Sequence, residues 1–378
     1  MMKVLKKIDK PLLIVSIILF AIGLITIYSA SNVTAYMLND ANPGRYFIKE
    51  AGFILGGFLV CLFGLRVVST KKYSAIAWFA TIGITGLIIA ITLIGQVVNG
   101  MSAWINYNGF GIQPSEFAKI SIIPLIAFFY DRHYKYRNNF KLMMVPMGIA
   151  MVVAGSIVFQ GDLGTAIIFV GLCGLMFFIS PVSNRIKIRV FGIFLIFAAF
   201  IGILLLSGAN ILPENKLARF NLYDPCSRYI TTGNQLCNSY IAINGGGLTG
   251  KGLGNSTQKY LYLPEAHTDF IFAIYVEELG LVGAIVLIAL YFVLLVRIIV
   301  IGKMAPTIAK KMICYGVSFY LFMHIIVNLT GVLGILPMTG VPLPFMSYGG
   351  SICLCTLLAL TMVERIAYEN NSKNLKKS

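Results

Sequence analysis

Three ionisable side chains crowd into the short segment 263–272, at Glu265, His267 and Asp269. A long apolar run follows at once, so we expect them to lie at a boundary between lipid and water. Loss of hydration raises the pKa of a carboxyl group toward that of a useful general base. Asp269 is therefore the candidate catalytic residue. The simpler alternative is that Asp269, or Thr268 before it, only caps the helix that follows.

A second pair of charges opens another apolar run. Glu116 and Lys119 are three residues apart, and Pro114 before them favours the first turn of a helix. At this spacing the carboxylate and the ammonium meet on one helix face. The pair either anchors the helix end or lines a polar cavity, and the two roles are compatible. Asp162 stands at a further turn, where it caps the next helix or contributes to the same site.

Two irregular segments favour such a cavity. Six of the ten residues 245–254 are Gly, and residues 337–351 are rich in Pro and Gly. Non-helical backbone at membrane depth is tolerated only where protein surrounds it or where it lines a cavity. We therefore expect a polar cavity open to the outer side. Glu277 and Glu278 point about 100° apart on a helix, and at least one should pair with Lys119 or with a polar backbone segment.

The elements that must hold these residues are membrane helices. Of the 378 residues, 58% are hydrophobic and only 12% are charged, and the mean hydropathy is +0.85. In a soluble protein of this length about a quarter of the residues are charged, so lipid must be the solvent of this chain. Apolar runs of about 20 residues, long enough to cross a bilayer, recur from end to end.

The net charge of +16 does not indicate nucleic-acid binding, because of where the charges lie. Lys and Arg cluster at both ends of the chain and in every second loop between the apolar runs. This is the positive-inside pattern of membrane proteins. It predicts a multi-pass protein with both termini in the cytoplasm, an even number of spans and no nucleic-acid partner.

The fold class that follows is an all-α integral membrane protein with about ten transmembrane helices, forming a single polytopic domain over residues 1–378. A large extracytoplasmic loop, about 208–268, separates spans seven and eight. The predicted spans are 11–31, 46–68, 73–97, 116–131, 142–160, 163–180, 187–207, 269–299, 311–334 and 350–367.

The outer loop contains two cysteines, Cys226 and Cys237. An outer location is oxidising, so they are candidates for a disulfide. The alternative of two free thiols stays open, because spacing alone does not give the geometry that a disulfide needs. The other five cysteines fall within apolar spans and are expected to be packing residues.

The string from Gly252 to Ala273, which contains Leu-Pro-Glu-Ala-His-Thr-Asp-Phe-Ile-Phe, resembles the central signature of the SEDS family (FtsW, RodA and SpoVE). Segments 113–119, 161–165, 277–280 and 337–351 resemble further family motifs. The resemblance covers essentially the whole chain in order. The outer loop is closer to the FtsW/SpoVE branch of low-GC Gram-positive bacteria than to RodA. The sequence departs from the usual pattern at Ala103 (often Arg), Glu50 (usually Gln) and Gly161 (usually Pro).

The resemblance implies a peptidoglycan glycosyltransferase of the bacterial cytoplasmic membrane, which polymerises lipid II on the outer face in cell division or shape maintenance. A class B penicillin-binding protein is the expected partner, among divisome or elongasome proteins. Asp269 matches the family's essential aspartate and is expected to act as general base, with inversion at the anomeric carbon. Lys49 and Lys119, together with Arg219 or Lys259, are candidates to bind the diphosphate. The complete set of substrate-binding candidates is Lys49, Trp104, Glu116, Lys119, Asp162, Lys259, Glu265, His267 and Ser347.

We expect no firmly required cofactor. A divalent cation, Mg²⁺ or Mn²⁺, could accompany the diphosphate, although the sequence has no dedicated ligand cluster. Two other functions compete with the enzyme: a lipid II flippase and a non-catalytic scaffold of the division machinery. The position of Asp269 at the outer rim, away from the midplane, favours chemistry over passage. A scaffold leaves the irregular backbone segments unexplained.

Overall fold

The computed structural model describes residues 7–37, 42–94, 103–107, 110–206, 224–229 and 233–374, and this part of the chain is almost entirely helical. The helices are α1 (Lys10–Ala35), α2 (Arg45–Val67), α3 (Tyr73–Ile94), α4 (Pro114–Arg132), α5 (Phe140–Met143), α6 (Val145–Phe159), α7 (Leu163–Ile179), α8 (Asn184–Leu206), α9 (Asn234–Gly246), α10 (Ile271–Lys303), α11 (Ile308–Val332) and α12 (Gly350–Asn374). Two short antiparallel strands, β1 (Ile105–Tyr107) and β2 (Phe110–Ile112), precede α4. Short 3-10 helices occupy Thr70–Lys72, Tyr134–Tyr136 and Pro225–Arg228.

Within the described residues, seven helical segments are long and apolar enough to cross a membrane: α1, α2, α3, the run α5–α6, α10, α11 and α12. Helices α4, α7 and α8 lie at the other three predicted spans. The predicted all-α membrane fold is confirmed, and each of the ten predicted segments contains a helix. The number of complete crossings stays a prediction.

The outside of the bundle is apolar. Phe63 of α2, Phe79 of α3 and Phe292 of α10 leave 67, 78 and 66% of their surface exposed. Large contiguous apolar surfaces of this kind are rare on proteins that face water. The outward faces of these helices therefore face lipid, as the composition predicts.

The two ends of the described chain meet at one end of the bundle. The side chain of Asp9 caps α1 and binds the Arg297 guanidinium at 2.6 Å. The backbone N–H of Asp9 donates to Glu364 of α12 at 3.0 Å, and Asn371 donates to the Lys7 carbonyl at 3.0 Å. We call this the inner end and the opposite end the outer end. An even number of spans requires this arrangement.

Helix α10 is broken at Gly280, whose φ is +68°. A side chain at this position would collide with the backbone of Leu248 and Gly250 in the glycine-rich segment 245–254. The N–H of Leu281 donates to the Gly247 carbonyl at 2.9 Å. The glycine-rich segment therefore lies directly against the break and supplies backbone partners that the interrupted helix lacks.

Both glutamates before the break bind the loop that follows the glycine-rich segment. Glu277 accepts hydrogen bonds from the Thr257 N–H at 3.1 Å and from the Lys251 ammonium at 2.6 Å. Glu278 accepts a weaker one from the Ser256 N–H at 3.4 Å. The prediction that at least one of them pairs with a polar backbone segment is confirmed.

The chain between α11 and α12, residues 333–349, is a non-helical re-entrant segment that reaches membrane depth. The Phe345 ring lies 4.7 Å from the Phe20 ring. The backbone carbonyl of Phe345 leaves no room for a side chain at Gly23. Gly23 is about 20 Å along α1 from the inner end, at 1.5 Å per residue. Tyr291 donates its hydroxyl to the Pro344 carbonyl at 2.5 Å. Irregular backbone at this depth is thus enclosed by protein, as lipid demands.

The described part of the outer loop is folded against the bundle. A disulfide joins Cys226 in the turn Pro225–Arg228 to Cys237 in α9. Ser239 of α9 donates its hydroxyl to the Val332 carbonyl at the end of α11 at 2.9 Å. Residues 208–223 and 230–232 of the predicted loop, and with them the diphosphate candidate Arg219, lie outside the described residues. The other five cysteines are free and buried, as predicted.

Candidate active site

The backbone around Asp269 is fastened to the re-entrant segment. Asp269 lies two residues before α10 at the outer end. The Asn328 amide of α11 donates to the Asp269 carbonyl and to the Val341 carbonyl, both at 2.8 Å. The Ser347 hydroxyl donates to the Thr268 carbonyl at 2.6 Å. Two parts of the chain that are distant in sequence therefore form one rigid edge of the site.

The Asp269 carboxylate faces the backbone of Gly340. A Cβ built on Gly340 would lie 3.4 Å from Oδ2 of Asp269. Asp269 is half-buried and precedes the membrane span. Burial, helped by the nearby carboxylates of Glu265 and Asp162, raises its pKa to about 7. A carboxyl group with this pKa can take up and release a proton near neutral pH, which is what general base catalysis needs.

Asp162 fills the capping role that its position predicts. Its Oδ1 accepts a hydrogen bond from the Thr165 N–H at 2.9 Å at the start of α7. Its Oδ2 accepts one from the Gln113 side chain at 2.7 Å. Because its charge acts on Asp269, Asp162 also belongs to the electrostatic environment of the site. The predicted cap is thus formed, and binding of substrate by Asp162 stays a prediction.

The predicted ion pair of α4 is formed, but it is closed off from any substrate. Lys119 Nζ lies 2.7 Å from Glu116 and 2.9 Å from Nε2 of His324, and Lys119 is 0% exposed. The prediction that Glu116 and Lys119 bind substrate directly is therefore corrected: both are held behind the site. His324 was not singled out from the sequence, although an intramembrane histidine is itself a signal of function.

Lys259 also needs correction as a candidate for diphosphate binding. It is 2% exposed, and its ammonium contacts the Ser29 hydroxyl at 3.2 Å, the Gly254 carbonyl at 2.5 Å and the Glu278 carboxylate at 3.4 Å. The Lys259 side chain therefore points into the bundle, toward the buried Glu278 carboxylate of α10. Its charge is already neutralised and its donors are used.

Lys49 is the candidate cation that the structure leaves half-exposed. It lies on the first turns of α2, one turn after Arg45. Between them, Tyr46 packs against His267 and Tyr348 with ring centroids 4.7 and 4.9 Å apart. Arg45 and Tyr46 were missed in the sequence, where only their i, i+4 and i, i+3 spacing from Lys49 could have pointed to them.

The remaining candidates have mixed placements. Glu265 is exposed and accepts a hydrogen bond from the Thr268 hydroxyl at 2.7 Å. Burial lowers the pKa of His267, whose Nδ1 is buried without a partner. Ser347 is buried, and its hydroxyl also accepts the Leu343 N–H at 2.8 Å, so it holds backbone and does not face substrate. Trp104 is 40% exposed and lies just before β1.

Two further observations bear on the sequence predictions. Glu50 is buried and accepts a hydrogen bond from the Gly349 N–H at 3.1 Å, so it connects α2 to the re-entrant segment. Among the described residues, no three His, Cys, Asp or Glu side chains are placed to hold a metal ion together. The divalent cation therefore stays a prediction, with the diphosphate as its main expected ligand.

Comparisons with known proteins fit this architecture. Residues 10–372 match the model of the cell cycle proteins FtsW, RodA and SpoVE. The chain is 32% identical to the Bacillus subtilis protein named "Probable peptidoglycan glycosyltransferase FtsW", covering 99% of this chain and 94% of that protein. It is 34% identical to Stage V sporulation protein E of the same organism, covering 95% and 96%.

A solved chain, described under "Structural coordination of polymerization and crosslinking by a peptidoglycan synthase complex", has the same fold. It superposes with a TM-score of 0.74 at 24% identity, covering 96% of this chain and 98% of that one. The chain belongs to the FtsW/RodA/SpoVE family of cell cycle proteins.

Proposed function

We propose that the protein is a peptidoglycan glycosyltransferase that polymerises lipid II at the outer face of the bacterial cytoplasmic membrane. The observation that carries the proposal is the half-buried Asp269 carboxylate, with a pKa of about 7, at the edge of the re-entrant segment. The relatives with this activity in their names support the same reaction. Asp269 lies at the outer end, where a lipid-anchored saccharide of the outer leaflet can reach it.

In the proposed reaction, ionised Asp269 takes the proton from the 4-hydroxyl of the acceptor N-acetylglucosamine. The oxygen then forms a bond to the anomeric carbon of the donor sugar. The bond from that carbon to the phosphate oxygen breaks, with inversion, and undecaprenyl diphosphate leaves with both bonding electrons. A positioned base contributes about 10²- to 10⁴-fold in rate.

The leaving diphosphate needs cations, and Lys49 is the accessible candidate. Arg45, one turn earlier on α2, lies on the same helix face. Preorganised positive charges stabilise the negative charge that develops on a leaving group. We assign this role to Lys49 and Arg45, in place of the buried Lys119 and Lys259.

The polyprenyl tail needs an apolar path beside the site. A groove of about 350 Å³ lies between α2, α4 and α12, lined by Gly52, Gly56, Phe117 and Leu357 among others. Gly52 and Gly56 have no side chains to fill the groove, and the space beside both is open, since a Cβ at either position would meet nothing within 4 Å. The groove lies farther along α2 from Lys49, toward the inner end. A tail in it would leave the diphosphate near the start of α2.

The proposed partner is a class B penicillin-binding protein of the divisome or elongasome, which crosslinks the strands. The similar solved chain from a complex that coordinates polymerization and crosslinking supports this assignment. Both termini are proposed to be cytoplasmic. The meeting of Lys7 with Asn371 at the inner end and the clustering of basic residues in alternate loops support this orientation.

The test is a gel assay of glycan strands made from lipid II by the protein reconstituted with its cognate partner. The assay contains a phosphoglycolipid inhibitor, which blocks any contaminating transglycosylase of the classical type. Wild type should give a ladder, and Asp269→Asn and Asp269→Ala should not. Asp131→Asn, a carboxyl substitution near the inner end of α4, is the matched control and should keep the ladder. A folded complex that binds lipid II but makes no strand would overturn the proposal, and a translocation assay would then test the flippase.

A further inference from the structure

His324 lies at the centre of a buried network that no step of the proposed reaction uses. It is 0% exposed on α11. Nε2 of its ring lies 2.9 Å from Nζ of Lys119, and Nδ1 lies 3.4 Å from the carbonyl oxygen of Pro342. The imidazole thus stands between the ion pair of α4 and the re-entrant segment.

The chemistry of the two neighbours fixes the form of the ring. The Lys119 ammonium has only N–H donors, and the Pro342 carbonyl is only an acceptor. Nε2 must therefore accept from Lys119, and Nδ1 must carry the proton and donate it to Pro342. A protonated imidazolium would turn a second N–H toward the ammonium and lose this contact, and Oε2 of Glu116, 3.8 Å from Nε2, is too far away to accept a hydrogen bond in its place. The network requires a neutral imidazole with hydrogen on Nδ1.

The same face of α11 also contacts the backbone of Asp269. Asn328 is four residues after His324, and residues at this spacing are neighbours on a helix. Its amide binds the carbonyls of Asp269 and Val341. His324 and Asn328 therefore fasten consecutive residues of the re-entrant segment, Val341 and Pro342, directly after Gly340, which faces the Asp269 carboxylate.

We propose that His324 is a positioning residue for Asp269: it transmits the fixed position of the Glu116–Lys119 pair to the backbone at 340–342. It does not touch substrate, because it is completely enclosed. The inference rests on the proposed glycosyltransferase function. It makes the α4 ion pair a rigid support of the site, which gives these buried charges a role although no substrate can reach them.

The kinetic test compares three variants in the reconstituted complex. His324→Leu keeps an apolar side chain of similar size but neither accepts from Lys119 nor donates to Pro342. We expect it to lower kcat on the order of 10²-fold, the effect of a displacement of about 1 Å at a catalytic site, with KM for lipid II unchanged. His324→Gln offers one acceptor and one donor and should restore kcat to within about tenfold.

Tyr320→Phe is the matched control on the same helix. The Tyr320 hydroxyl is buried without a partner, and its ring packs on His324 at 4.7 Å. Removing the hydroxyl keeps this packing and should leave kcat unchanged. If His324→Leu does not fold, His324→Met takes its place, since it also cannot donate to Pro342. Equal kcat for the Gln variant and the apolar variant would overturn the inference.

A spectroscopic test does not depend on activity. The chain has three histidines, His133, His267 and His324, so ¹⁵N-histidine labelling gives three ring systems that single substitutions assign. We expect His324 to be neutral with hydrogen on Nδ1, and Lys119→Met to change its ¹⁵N shifts. The opposite tautomer or an imidazolium contradicts the proposed network. A ladder that needs Asp269 but not His324 would reject the positioning role and leave the proposed function intact.

Discussion

The carboxylate of Asp269 lies against the α-carbon of Gly340, so that an added Cβ would be 3.4 Å from Oδ2. The φ of Gly340 is +70°, a conformation that side chains other than glycine rarely adopt. The backbone of the re-entrant segment thus forms the wall opposite the candidate base. A small displacement of the backbone at Gly340 should therefore displace the Asp269 carboxylate.

Gly340→Ala should therefore lower activity more than stability. The left-handed conformation costs a side chain about 1–2 kcal/mol, and relief of this strain would move the backbone that the Asp269 carboxylate contacts. We expect kcat to fall at least tenfold while the protein still folds, measured by glycan synthesis and thermal unfolding in detergent. Gly148→Ala on α6, where a Cβ meets nothing within 4 Å, is the control. Wild-type kcat for Gly340→Ala would show that the wall tolerates displacement.

The raised pKa of Asp269 predicts a pH profile. The ionised form is the base, and its fraction increases with pH through the pKa of about 7. The value of kcat/KM should therefore rise about tenfold per pH unit below 7 and level off above it. Glu265→Gln removes a negative charge that contributes to the raised pKa, so its profile should move toward lower pH. A flat profile, or a shift in the opposite direction, contradicts the assignment of the base.

The sequence was most informative where partners are close in the chain. The three-residue spacing of Glu116 and Lys119 predicted their ion pair, and the position of Asp162 before an apolar run predicted its cap. The apolar runs predicted the ends of the helices to within four residues, except at α12, which continues to Asn374. These predictions succeed because helix geometry alone decides which neighbours meet.

Long-range contacts could not be predicted in this way. Lys259 was a candidate for the diphosphate because cations stabilise charge that develops on a leaving group. In the structure its ammonium instead lies 3.4 Å from the Glu278 carboxylate of α10, and the buried pair excludes substrate. His324 meets Lys119 only because α4 and α11 pack together. Neither contact has a local signal in the sequence.

The disulfide of the outer loop predicts a redox-dependent stability. Cys226 and Cys237 are separated by 11 residues, and closing a loop of about this size stabilises a fold by roughly 3 kcal/mol. Reductant, or Cys226→Ser with Cys237→Ser, should expose the loop around α9 to protease while the membrane helices stay folded. The double variant should no longer respond to reductant. Cys61→Ala is the control, because Cys61 is free and buried, and it should respond like wild type.

The corrected roles of two lysines separate binding from stability. Lys259 and Glu278 are each 1% exposed in their side chains, and removing one partner of such a buried pair costs on the order of 3–5 kcal/mol. Lys259→Met should therefore lower the unfolding temperature and leave KM for lipid II unchanged in the folded fraction.

Lys49→Met should do the opposite, because a half-exposed cation contributes little to stability and much to a diphosphate. We expect KM to rise or kcat to fall about tenfold, with an unfolding temperature near that of wild type.

The double variant Lys259→Met/Glu278→Gln is the control for the buried pair of Lys259 and Glu278. It should recover part of the stability that Lys259→Met loses, since no charge is left unpaired. A rise in KM for Lys259→Met, with none for Lys49→Met, would assign the diphosphate to Lys259 instead of Lys49.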